Sequence, residues 1–162
     1  MATPYSIYVL QTIYKQVEAI LSDYGIEGFQ LFWEYPPNEL PVPSIVISMV
    51  DWEDEGHMGL GEEGIKRNYY VSIRVCAENA IREMMVREVI EQVYNDMGWF
   101  DIKKWSSFPP DPSDEGEEII GALTEVVAVE KEYDPDNPIL ALRYTGYIVV
   151  KVKTARLSGA RT

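Results

Sequence analysis

The sequence has few of the residues that most often carry out chemistry in proteins. Among its 162 residues there is one cysteine, Cys76, and one histidine, His57. A single cysteine forms no disulfide within the chain, which predicts a reducing compartment, and one histidine leaves little choice of a general base. No nucleotide or cofactor fingerprint occurs. We therefore predict that the protein is not an enzyme and uses no cofactor or metal.

Long apolar runs are also missing. No stretch approaches the ~18 apolar residues that span a bilayer, and the first residues carry no basic segment followed by an apolar one. We therefore expect a soluble protein without a membrane partner. Hydrophobic residues nevertheless make up 46% of the sequence and aromatic residues 12%. This content is typical of a packed core and predicts a single domain over residues 1–162.

Positive charge is scarce, with 14 Lys and Arg against 27 Asp and Glu, so the net charge is -13. A protein that holds nucleic acid needs a surplus of Lys and Arg, and specific binding to DNA is therefore not expected. Residues 51–64 hold six of the acids and residues 106–118 hold five, with no Lys or Arg in either segment. Their glycines and prolines predict two mobile acidic loops.

Hydrophobic periodicity predicts the regular elements. Helical spacing predicts one helix over residues 4–24 and a second from the N-cap Asn79 to Gly98. The predicted buried positions of the second helix are Ile81, Met85, Val86, Val89, Ile90, Val93 and Met97. Two-residue alternation and β-rich composition predict strands over residues 29–35, 44–50, 68–77, 102–105, 121–133 and 139–154. The order α-β-β-β-α-(β)-β-β predicts an α+β fold, with two main helices packed on an antiparallel or mixed sheet.

The first acidic segment has the spacing of a calcium-binding loop. Its acidic positions and its glycine are Asp51, Glu53, Glu55, Gly56 and Glu62. Two of these positions carry Glu where Asp or Asn is usual, and the flanks are predicted strands rather than helices. Three interpretations stay open: an acidic calcium-binding or protein-interaction module, an acidic loop that is solvated or orders on assembly, and a small hydrolase or transferase with a carboxylate pair.

Aromatic residues next to the acidic loops are candidates for contact with a partner. Trp52, Trp105 and Phe108 border the loops, and we expect them to be exposed until a partner covers them. Trp33 and Trp99 are expected in the core.

Residues 137–162 contain no acid and carry five bases, with a tail from about residue 155 that we expect to be flexible. A basic strand and tail beside acidic loops suit contact with an acidic neighbour, including a second copy of the chain. The candidate interface residues are Trp52, Glu53, Asp54, Glu55, Trp105, Phe108, Arg143, Lys151, Lys153 and Arg156.

The layout resembles the tail terminator and tail completion, or neck, proteins of tailed bacteriophages. The resemblance is carried by the helix at 4–24, the strand at 67–77 that runs into the second helix, and the closing strands to residue 154. It implies a structural virion protein, assembled in the host cytoplasm, that forms a homo-oligomeric ring, commonly a hexamer. Its implied partners are the tail tube protein and the head connector or neck proteins. DNA would pass through such an acidic ring without specific binding.

Overall fold

Two helices and one mixed sheet make up the described part of the molecule. The structure is a computed structural model and describes residues 5–33, 41–56, 66–107, 110–111, 113–132 and 144–154. In chain order the elements are α1 (Tyr5–Asp23), β1 (Gln30–Phe32), β2 (Ser44–Gly56), β3 (Lys66–Cys76), α2 (Ala80–Asp96), β4 (Phe100–Lys104), β5 (Glu117–Glu132) and β6 (Thr145–Thr154).

The sheet has the strand order β1-β2-β3-β6-β5-β4. β1 runs parallel to β2, and the other pairings are antiparallel. The predicted α+β fold with two helices on a mixed sheet is therefore confirmed. Neither described helix has the length and hydrophobicity that a membrane crossing requires.

The core lies between the two helices and one face of the sheet. The central strand β3 turns its alternate residues to this face, as the two-residue period predicts. The core residues of β3 are Tyr69, Val71, Ile73 and Val75, all fully buried. α1 adds Val9, Ile13 and Val17, and β6 adds Ile148, Val150 and Val152. Removal of this apolar surface from water is the main stabilising term of the fold.

The buried face of α2 agrees only in part with the one that its apolar spacing predicts. Val86 and Ile90 are fully buried as predicted, and Val89, Val93 and Met97 pack partly buried against the core. Ile81 is 74% exposed and Met85 is 49% exposed, so their predicted core positions are wrong. The residues that the helix buries are Glu83, Val86, Ile90 and Tyr94. The apolar pattern does not predict that Glu83 is buried, because a carboxylate is expected to face solvent. Here Arg87, one turn later in the helix, forms an ion pair with Glu83, so that the carboxylate can be buried. The predicted N-cap is confirmed, since Asn79 Oδ1 accepts a hydrogen bond from Arg82 N at 2.8 Å.

The bounds of the strands differ from the predicted ones chiefly in the acidic segments. β2 continues to Gly56, although the sequence predicts a loop from Asp51 onward, and β5 begins at Glu117 rather than at residue 121. Pairing with β3 and β4 supplies the cross-strand partners that keep these acidic residues extended. The remainder of the first acidic segment, the predicted start of the last strand and the tail after residue 154 lie outside the described residues.

A buried ion pair within α2 packs against the central strand β6. Arg87 Nε donates to Glu83 Oε2 at 2.7 Å, and the side chains are 13% and 0% exposed. The pair lies against Gly146, where a Cβ would stand 2.6 Å from Glu83 Oε2 and 2.7 Å from Arg87 Nε. Glycine is therefore needed at this position, because any side chain would displace the ion pair.

We expect Gly146→Ala to destabilise the fold by about 1–3 kcal/mol, because the new methyl group overpacks the space that the ion pair occupies. In a Glu83→Ala/Arg87→Ala background the same change should cost less than about 0.5 kcal/mol, since the obstructing side chains are gone. Urea unfolding followed by circular dichroism measures both costs. Equal costs in the two backgrounds would contradict the proposed steric conflict.

Candidate interaction surface

The sheet register gathers the candidate segments at one end of the molecule. β2 ends with Gly56 opposite Lys66, β4 ends with Lys104 opposite Glu117, and β6 ends with Thr154 beside Ala122. Because these three strands run in the same direction, both acidic segments and the end of the basic strand lie at the same end of the sheet. We call this region the charged end and define it as the described residues of 51–70, 101–118 and 151–154.

On the β2 side of the charged end, a bidentate ion pair with Arg67 holds Asp54, one of the predicted interface residues. Arg67 Nε donates to Asp54 Oδ1 at 2.6 Å, and Arg67 Nη2 is 3.3 Å from Oδ2. The hydrogen bond from the Arg67 guanidinium holds the pKa of Asp54 below its usual value. Trp52, the neighbour of this pair, is 50% exposed, as the sequence predicts.

Acidic and basic candidates also meet across three strands on the sheet face that points away from the helices. The Tyr70 hydroxyl donates to Glu53 Oε1 at 2.6 Å, and Lys151 Nζ lies 4.0 Å from the same oxygen. Farther along, Lys153 Nζ is 2.7 Å from Glu125 Oε2, and this hydrogen bond lowers the pKa of Glu125. Sequence analysis missed Tyr70 and Glu125, because only the register places them beside the lysines.

These pairs are exposed, and that determines what they can do. The side chains of Asp54 and Glu53 are 42% and 55% exposed, and Lys153 is 44% exposed. Exposed ion pairs add little to stability because water screens them, so a partner with matching charges can replace them at little cost. The charged end is therefore suited to polar contacts that can be exchanged for others.

The other side of the charged end is built on Trp105. This side chain is only 9% exposed, and its Nε1–H donates to Thr12 Oγ1 of α1 at 3.1 Å. The ammonium groups of Lys15 and Lys103 lie 5.8 and 5.9 Å from the ring centroid, within cation–π range. The prediction that Trp105 is exposed is wrong, because the indole anchors the segment after β4 to α1.

The prediction for Trp99 is also wrong, but in the opposite direction. The sequence predicts it in the core, but it is 68% exposed. It follows α2, and its ring lies over Gly121 of β5, 3.6 Å from the position of a Cβ there. Trp33 packs partly buried against the core.

The acids of the second segment bind their own backbone. Asp114 Oδ2 accepts hydrogen bonds from Ser106 N at 3.0 Å and Ser106 Oγ at 2.7 Å, and Oδ1 accepts one from Gly116 N at 2.9 Å. Asp111 Oδ1 accepts from the backbone and the hydroxyl of Ser113. These bonds, led by those from the serine hydroxyls, lower the pKa of both aspartates. The described part of this segment is thus held by short-range hydrogen bonds, and its predicted mobility stays a prediction.

The surroundings of the acids beside Trp105 and of the Cys76 thiol determine whether these groups can act in acid–base or nucleophilic chemistry. An open groove beside Trp105 is lined by Asp114, Glu115 and Glu117. A general acid at neutral pH needs a raised pKa, whereas that of Asp114 is lowered. Burial raises the pKa of the Cys76 thiol, the reverse of an activated nucleophile.

The described part of the calcium-loop pattern, residues 51–56, takes a different conformation from the one that its spacing requires. Asp51 and Glu53 lie in β2, opposite Tyr70 and Asn68 of β3. An extended strand keeps such carboxylates apart, whereas a calcium loop curls them around one point. Among the described residues, no three His, Cys, Asp or Glu side chains are placed to hold a metal. Phe108, Arg143, Arg156 and the Glu55 side chain lie outside the described part of the chain.

Comparison with known proteins adds no assignment. The sequence matches no protein-family model, and no curated protein matches it significantly.

We expect the amides of Ser106 and Gly116 to report the protonation of Asp114. Because the pKa of Asp114 is lowered in the folded state, its stabilising bonds are complete above the ordinary value of 3.8 and are lost as the pH falls through the lower folded value. NMR titration of the two amide shifts should give a midpoint below 3.8. In Asp114→Asn this titration should disappear, while the Ser113 amide, which binds Asp111, should still titrate. A midpoint at or above the ordinary value would contradict the assignment.

Proposed function

We propose that the protein is a structural component of a virion: a tail terminator or head–tail joining protein that forms a ring, caps the tail tube and connects it to the head. Its element order resembles that of these bacteriophage proteins, and its α+β fold, with both helices on one face of a mixed sheet, agrees with the layout expected from this resemblance. The observation that carries the proposal is the charged end, which collects exposed charges of both signs on a rigid body.

The separation between elements that form the core and residues that are exposed at the charged end supports an assembly role. The apolar faces of α1 and β3 are buried in the core, so these elements act as scaffold. At the charged end, by contrast, Glu53 and Lys151 are placed side by side and Trp52 is half exposed. An exposed aromatic residue close to ion pairs that a partner can replace is a common composition of protein–protein contacts.

The net charge supports a ring through which DNA travels. At -13 the chain repels phosphate, and a channel lined by carboxylates does not retain the DNA that moves along it. The tail tube protein and the head connector are the partners on the two faces of such a ring. In this proposal the protein assembles in the host cytoplasm and then remains in the virion.

We expect the purified protein to form rings and to bind the ends of tail tubes. Negative-stain electron microscopy of the concentrated protein should show closed rings, and addition during polymerisation of tube protein should give tubes with capped ends and limited length. Tube protein alone is the control, and its tubes should vary in length. A protein that stays monomeric at every concentration and leaves tube length unchanged would refute the proposal.

A further inference from the structure

β2 has an outer edge with no described strand beside it over most of its length. β1 pairs only with Ser44, Ile45 and Val46. Among the described strands, residues 47–56 pair with β3 alone. The side chains of residues 50–54 are all exposed, with Val50 at 57%. We call residues 47–56 the β2 edge. Its outward-pointing backbone groups can hydrogen-bond to one further strand.

The β2 edge carries acids on both faces of the sheet. Asp51 and Glu53 lie opposite Tyr70 and Asn68, on the face away from the helices. Asp54 shares the helix-side face with Trp52, which lies opposite the core residue Tyr69. Acidic side chains disfavour pairing with another acidic strand, but they favour a basic one. The chemistry of the edge therefore selects an extended, basic segment with a small apolar contact.

The chain contains a segment with this composition. Residues 155–162 read Ala-Arg-Leu-Ser-Gly-Ala-Arg-Thr, with two arginines, one leucine and no acid. In an extended strand Arg156 and Arg161 point to opposite faces, because their spacing is odd. Leu157 shares the face of Arg161. One face thus offers Leu157 and Arg161 to Trp52 and Asp54, while the other offers Arg156 to Asp51 and Glu53.

We propose that residues 155–162 of one copy add as a strand to the β2 edge of a second copy. Backbone hydrogen bonds between the segment and the edge supply much of the affinity, and the two arginines and Leu157 supply the specificity, as in other cases of strand addition. This inference rests on the proposed ring, because it names the contact between neighbouring subunits.

The geometry favours a second copy over the same copy. Thr154 ends beside β3, where its hydroxyl donates to the Arg67 carbonyl at 2.7 Å. The outer side of β2 lies two strand spacings beyond β3, roughly 10 Å, on the far side of the hairpin. Because β6 and β2 run in the same direction, a segment of the same copy would have to pass the ends of β3 and β2 and then reverse its direction to lie on this side. A neighbouring copy needs no such turn.

The contact is of the head-to-tail type. Each subunit donates a segment on one side and accepts one at the β2 edge, so the two contact surfaces differ. Contacts of this type close into a ring when the rotation between subunits allows it. The inference therefore accounts for ring formation through residues at the charged end.

The test uses two full-length variants, one with substitutions in the segment 155–162 and one with substitutions in the β2 edge. The segment variant is Arg156→Ala/Arg161→Ala, and the edge variant is Asp51→Lys/Glu53→Gln, in which the new amide keeps an acceptor for the Tyr70 hydroxyl. Gln92→Glu/Asn95→Asp and Glu88→Lys/Asp96→Asn are matched controls, since they cause the same changes in net charge at exposed positions of α2, away from the charged end and the β2 edge. Circular dichroism verifies folding, and light scattering after size exclusion measures mass.

The wild type and both controls should self-associate, and each contact variant should associate at least tenfold more weakly. A mixture of the two contact variants should form dimers and nothing larger, because one intact segment meets one intact edge. Variants that assemble like the wild type, a mixture that stays monomeric, or a monomeric wild type would each overturn the inference. Self-association without tube capping would contradict only the proposed function, and rings that survive both variants would contradict only this contact.

Discussion

Burial of the inner face of β3 is the interaction on which the rest of the structure depends. Tyr69, Val71, Ile73 and Val75 are fully buried under the helices, and β3 pairs on both sides, with β2 and β6. A shift of β3 by one residue would turn this whole set to the other face. The core therefore fixes the register of the three strands, and the register in turn decides which charges of β2 and β6 meet at the charged end.

The charged end is consequently a product of the core rather than a separate site. Glu53 and Lys151 belong to strands that are not neighbours, and they approach each other only because Tyr70 of the intervening strand faces the same way. Their closeness helps so acidic a segment to stay extended in the sheet, although the register shifts on both sides of it. A partner at this end would replace existing weak contacts rather than bind bare charges.

Local pattern was enough to predict the fold, since alternation in β3 and the N-cap Asn79 are properties of the neighbouring sequence. Features that depend on distant partners were not predictable. The extension of β2 needs Arg67 and Tyr70 across the strand, and the buried face of α2 needs the Glu83–Arg87 pair. Trp105 is buried because Thr12, far away in sequence, accepts its N–H. At the candidate site, composition predicted which residues were charged, but only the register showed how they pair.

The position of β6 in the sheet has a consequence for how the chain is made. This last described strand lies between β3 and β5, at the centre of the sheet. Until residues 145–154 have been synthesised, β1-β2-β3 and β4-β5 share no strand pairing, and the core lacks Ile148, Val150 and Val152. Completion of the sheet therefore waits for β6, and the nascent chain leaves the inner edges of β3 and β5 unpaired until that strand has been made.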